Sequence, residues 1–124
     1  MGLGVRQVMD FTQEWSRGGP LKWLGTLREN PRTIFLVNSA PDNWIREANL
    51  GVLMAEIESK APAASVCYFA SAHAIPNDFQ STVGEEAAIL VNAFRRKWSY
   101  PGNCSDLAVV DPVELQKWWV QRSK

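Results

Sequence analysis

The chain has 124 residues, 46% of them hydrophobic and 21% charged, and its thirteen basic and thirteen acidic side chains cancel. One domain with one core fits that length, and the composition excludes disordered and fibrous classes. The charge balance holds on both sides of Lys60, so the basic excess of a non-specific nucleic-acid binder is missing.

No apolar run approaches the ~20 residues that span a bilayer, and no basic segment followed by an apolar stretch opens the chain as a secretory signal would. The expectation is a single α/β domain over 1–124, cytoplasmic, with no membrane partner. Cys67 and Cys104 belong to no metal-ligating or redox spacing. Two free thiols in a reducing compartment are therefore expected, with no metal and no cofactor.

Along the chain, Val5, Val8, Met9 and Trp15 recur at three-to-four spacing, which predicts a first helix over 5–15. Gly18-Gly19-Pro20 ends it. Leu21, Leu24 and Leu27 predict a short second helix, closed at Asn30-Pro31 because the residue before proline avoids helical angles. These two form an N-terminal helical pair over 1–30. Thr33–Val37 reads as a strand.

The segment 42–60 predicts a helix with two apolar arcs: Trp44, Ala48, Val52 and Ala55 on one, Leu50, Leu53, Met54 and Ile57 on the other. A helix that only covers a sheet needs a single stripe. A second strand follows over 65–70. A helix over 85–98 carries Ala87, Leu90, Val91, Phe94 and Trp98 toward the core, with Glu86, Arg95, Arg96 and Lys97 elsewhere and its other side in water. A third strand over 107–110 and a helix over Pro112–Arg122 complete the order α-α-β-α-β-α-β-α. Strands separated by helices imply parallel pairing and a three-layer α/β sandwich of about three strands.

Each strand runs into polar residues: Asn38-Ser39 after the first, Ser71-Ala72-His73 after the second, Asp111 after the third. Ligands of open parallel sheets sit at those carboxyl ends. Helix capping is the competing explanation, because Ser39-x-x-Asp42, Thr82-x-x-Glu85 and Asp111-Pro112-Val113-Glu114 all read as capping boxes or close relatives.

Asn38, Ser71, His73 and Asp78 remain once capping is subtracted. His73, the sole histidine, is the natural acid or base of a catalytic reading. With the 33–37 strand central, Asn38, Ser71 and Asp111 would position a substrate around it. No nucleophile elbow and no glycine-rich phosphate loop supports that chemistry.

Six tryptophans stand out: Trp15, Trp23, Trp44, Trp98, Trp118 and Trp119. Most are expected in the core. Trp118 and Trp119 are adjacent and diverge by 100° around their helix, so both cannot face the sheet, and tryptophan anchors protein interfaces. The run 95–100 mixes basic and aromatic residues as single-strand nucleic-acid surfaces do, though a solvated helix end explains it as well. The loop 72–81, the longest irregular stretch, is a place for specificity.

Gly19-Pro20-Leu21-Lys22-Trp23-Leu24 leading to Arg32 and the 33–37 strand, Ile45-Arg46-Glu47-Ala48, and Gly102-Asn103-Cys104-Ser105 before Leu107-Ala108-Val109 resemble the SulA-type bacterial cell-division inhibitors. Those proteins are small relatives of the RecA-like fold that bind the division protein FtsZ. The resemblance covers under half the chain and implies that Arg32 contacts a partner; Ala48 stands where those inhibitors carry a tryptophan. The leading expectation is a non-enzymatic interaction module, an inhibitor or scaffold, that binds another protein or itself through Trp118, Trp119, Trp44 and Arg32. An enzyme or ligand binder built on His73 is the alternative, and a nucleic-acid accessory role the third.

Overall fold

A computed structural model describes residues 7–10, 14–68, 80–101 and 110–122. The elements are β1 (Gln7–Asp10), α1 (Gly19–Glu29), β2 (Thr33–Val37), α2 (Glu47–Glu56), β3 (Pro62–Ala63), β4 (Ser65–Tyr68), β5 (Ser81–Thr82), α3 (Val83–Arg96) and α4 (Pro112–Arg122). The chain is thus a mixed α/β protein.

A three-stranded parallel sheet has the order β1-β2-β4, with Val8 opposite Ile34 and Leu36 opposite Cys67. β3 and β5 form a separate antiparallel pair. Both crossovers step the same way across the larger sheet, so right-handed connections place α1 and α2 on one face. α3 packs against both.

The helix expected over 5–15 is corrected: residues 7–10 are a parallel strand on β2. An isolated helix of that length is marginal, whereas β2 offers an open edge whose backbone groups need partners. The position beside β2 expected for 107–110 is therefore taken by β1, and residues 102–109 lie outside those described. The N-terminal pair reduces to α1, which Gly19 enters with φ at 83°. That left-handed backbone suits glycine.

α2 starts at Glu47 instead of 42, so Ser39 and Asp42 cap nothing there, and both are exposed. The helix is started by Asn49, whose Oδ1 accepts from the Arg46 N–H at 2.8 Å. The other two caps are present. Thr82 Oγ1 accepts from the Glu85 N–H at 3.0 Å, and Asp111 Oδ1 from the Val113 N–H at 2.9 Å.

α3 is corrected from a one-faced to an almost encircled helix. Val83, Gly84, Glu86, Ala87, Ala88, Leu90, Val91, Asn92 and Ala93 are all buried. Gly84 is the closest point. A Cβ there would meet the carbonyl oxygens of Ile57 and Ser59 at 2.6 Å each, and the Gly84 N–H donates to Ser59 O at 3.1 Å.

Cys67, buried on β4, is not a free thiol but half of a disulfide. Cys104, the only other cysteine in the sequence, lies outside the described residues. No second cysteine lies near Cys67 in the sequence to mark it as half of a bridge, which is why the free-thiol expectation fails, and with it the thiol argument for a reducing compartment. Reduction should raise the denatured intact mass by two hydrogens and lower stability by roughly 2–4 kcal/mol. Mass spectrometry and urea melts with and without dithiothreitol check both.

Candidate functional site

Asn38 directly follows β2, at the sheet end where a ligand crevice is expected. A cluster of aromatic rings stands beside it. Trp15 lies 5.0 Å from both Trp23 and Trp44, and Trp44 stacks on Tyr100 at 5.5 Å and 28°. Every indole N–H in this cluster is used: Trp15 donates to Asn38 Oδ1 at 2.6 Å, Trp23 to the Tyr100 hydroxyl at 2.9 Å, and Trp44 to Ser16 O at 2.7 Å.

Asn38 therefore anchors a tryptophan, and Asp111 caps α4. The other two residues of the catalytic alternative, His73 and Ser71, like Asp78 and nearly all of the 72–81 loop, lie outside the described residues.

Of the residues expected to bind a partner, Trp44 belongs to the cluster just described. Trp118 and Trp119 are half-buried against the core, with the Arg122 guanidinium 5.0 Å and 5.7 Å from their rings and 5.9 Å from Phe94. Arg122 also pairs with Glu47, tying the last turn of α4 to the first of α2. Arg32 is exposed immediately before β2.

The well-exposed tryptophan is Trp98, at 56%. Helical periodicity misplaced it because α3 stops at Arg96, two residues earlier, and the phase of the helix no longer applies. Lys97 in the left-handed region makes the break. A break there was hard to read without the glycine that usually marks it.

The two arcs of α2 separate cleanly. Leu50, Leu53, Met54 and Ile57 are buried, while Ala48, Gly51, Val52 and Ala55 face outward, Val52 at 52% exposure. Nothing lies within 4 Å of a Cβ built on Gly51.

A cavity of about 440 Å³ opens where α2 ends and α3 and α4 begin, lined by Ile57, Ser59, Lys60, Glu85, Val110 and Pro112 among others. Two helix starts meet there, and the first three donors of α3 and the Val113 N–H of α4 are occupied. Val83 N–H reaches Ala61 O at 2.8 Å, Gly84 N–H reaches Ser59 O, and the Glu85 and Val113 N–H groups take the caps. The start of α3 therefore offers an anion no free backbone donor. Among the described residues no group of His, Cys, Asp or Glu could hold a metal ion, and no helix is long and apolar enough to cross a membrane.

Among the described residues Glu86 is the one strongly perturbed carboxylic acid. It is fully buried on α3, Oε2 accepts from the Ser81 hydroxyl, and Oε1 has no hydrogen-bond partner among the described residues. Desolvation pushes its carboxyl from 4.5 up to about 8, against the Ser81 hydrogen bond and with help from Glu85. The buried Tyr100 hydroxyl is also pushed up, first by desolvation and then by Glu86. Perturbed acids mark functional sites when they line a cleft; none of the cavity residues named above is Glu86.

Because the folded state holds this proton more tightly than the unfolded chain, its contribution is complete below pH 4.5. It is lost as the pH rises to about 8. Through that window stability should fall by about 1.4 kcal/mol per pH unit on this account. Urea melts of the wild type and Glu86→Gln across the window check it: the variant should lose the slope, and an unchanged slope assigns the proton elsewhere. Comparison of the chain with protein-family models, with curated proteins and with solved structures finds no match in any of the three.

Proposed function

We propose that the protein is a non-enzymatic interaction module that docks another protein chain on the outer face of α2 and acts on it as an inhibitor or scaffold. The observation that carries this reading is the uncovered arc Ala48, Gly51, Val52 and Ala55 on a helix whose opposite arc is already in the core. Glycine inside a helix costs about 1 kcal/mol relative to alanine. Nothing within the fold calls for it at Gly51, where a side chain would meet open space. A partner backbone lying close against the face gives it a purpose.

The half-buried Trp118 and Trp119 adjoin this face through the Arg122–Glu47 pair. They extend the surface with large, flat rings.

The resemblance to SulA-type inhibitors supplies a first partner to try, and the exposure of Arg32 just before β2 favours the attempt. Purified FtsZ should polymerise less in the presence of the protein, and Arg32→Ala should relieve that effect. Light scattering reads both, and unaltered polymerisation removes this particular partner.

For the module itself, Val52→Glu should abolish association while changing stability by no more than about 0.5 kcal/mol, as a substitution at an exposed site does. Affinity capture from a cell extract and sedimentation of the purified protein, each compared between wild type and Val52→Glu, check it. Retention of the same partners and the same sedimentation by both proteins sinks the reading.

A further inference from the structure

The turn that closes α3 presents an aromatic and two cations to solvent in three successive positions. Arg96 lies with its guanidinium 5.4 Å from the Trp98 ring centroid, Lys97 is exposed, and Trp98 is the most exposed of the large hydrophobic side chains on α3 and its turn. Arg95, one residue earlier, is committed to Glu114 at 3.2 Å. Arg96 and Lys97 make no ion pair among the described residues. Their charges are available to a ligand.

The turn is fixed. The Lys97 and Trp98 N–H groups donate to Phe94 O at 3.3 Å and Ala93 O at 2.9 Å, closing the last turn of the helix. Lys97 holds φ 58° and ψ 37°, the left-handed conformation that glycine normally supplies at this position. A lysine there costs on the order of 1–2 kcal/mol of backbone strain, and strain kept at an exposed site is a reason to look for a use. What the conformation achieves is to turn Trp98 away from the core that α3 otherwise fills.

We propose that the Arg96-Lys97-Trp98 turn binds an acidic protein segment, its carboxylates on Arg96 and Lys97 and an apolar side chain on the Trp98 ring. Arginine and tryptophan are the residue types that dominate interface energetics, and a charge-assisted contact beside an apolar one fixes both position and orientation. A single nucleic-acid strand is the other anionic ligand with flat groups to stack, but such surfaces carry several rings along a basic track. Here, among the described residues, one exposed ring stands on a protein of zero net charge. The surface lies on a different element from the outer face of α2, so its test and the test of that face succeed or fail separately.

The experiment is a fluorescence-anisotropy titration of the full chain with a labelled, acetylated Asp-Glu-Leu-Glu-Asp peptide, beside its Asn-Gln-Leu-Gln-Asn counterpart and a labelled oligothymidylate. Saturable binding of the acidic peptide is expected, at least about tenfold weaker for Trp98→Ala and for the double variant Arg96→Glu, Lys97→Glu. It should weaken between about 50 and 300 mM salt as screening shortens the reach of the two cations. The amide counterpart should bind no better than the variants do. Equal thermal midpoints for all proteins exclude unfolding as the cause, and a shift of the Trp98 indole resonance on titration locates the contact. Absence of saturation up to about 1 mM peptide overturns the proposal. So does binding indifferent to Trp98→Ala, or tighter binding of the oligothymidylate than of the acidic peptide.

Discussion

Three indole N–H groups hold the carboxyl end of the sheet together. Trp15, Trp23 and Trp44 come from the turn before α1, from α1 itself and from the loop after β2, and their donors go to Asn38, Tyr100 and Ser16. A buried indole without an acceptor gives up roughly 1–3 kcal/mol of what its ring gains by burial, so each bond helps fix where its tryptophan sits. The hydroxyl of Tyr100 takes one of these bonds and its carbonyl accepts the Ala40 N–H at 2.9 Å. The loop after β2, the start of α1 and the chain beyond α3 are thereby joined at one point. The same arrangement places a cluster of aromatic rings beside Asn38, at the carboxyl end of β2.

α3 sits at the centre of the helical packing and carries the cost of that position in Glu86. A carboxyl with one hydrogen bond and no counter-charge among the described residues is tolerable in the core only as the neutral acid. Position 86 lies beside Ala87 and Ala88, on the side of the helix that a solvated design would leave to water. Because α3 is surrounded by α1, α2 and α4, that side is interior too. The outer arc of α2 is the reverse case: apolar residues at solvent, on a helix that the rest of the chain covers from one side only.

Much of the architecture could be read from periodicity and capping. Pro112–Arg122 and Thr33–Val37 fall where expected, and Thr82 and Asp111 cap as their spacing suggests. Residues 7–10 could not be read that way, since three-to-four spacing over so short a stretch satisfies a helix or a strand and only the free edge of β2 decides. Glu86 was misread for a related reason: charge says nothing of how many neighbours a helix has. The site was less legible than the fold. Composition showed a surplus of tryptophan, but which ring is exposed depended on where α3 ends, and that end is made by a lysine in a backbone conformation its side chain does not advertise.

Gly84 shows where this chain is least free to change. Its missing side chain lets the first turn of α3 lie against the carbonyls of Ile57 and Ser59, which are backbone atoms and cannot swing aside as a side chain would. Any larger residue must push apart the end of α2 and the start of α3, and with them the β3–β5 pair that lies between the two helices in the chain. Drift in the sequence can replace most exposed residues of this protein at little cost, yet at Gly84 even a methyl group would meet backbone that has to move. A descendant that lost the glycine would have to find another angle between its two central helices.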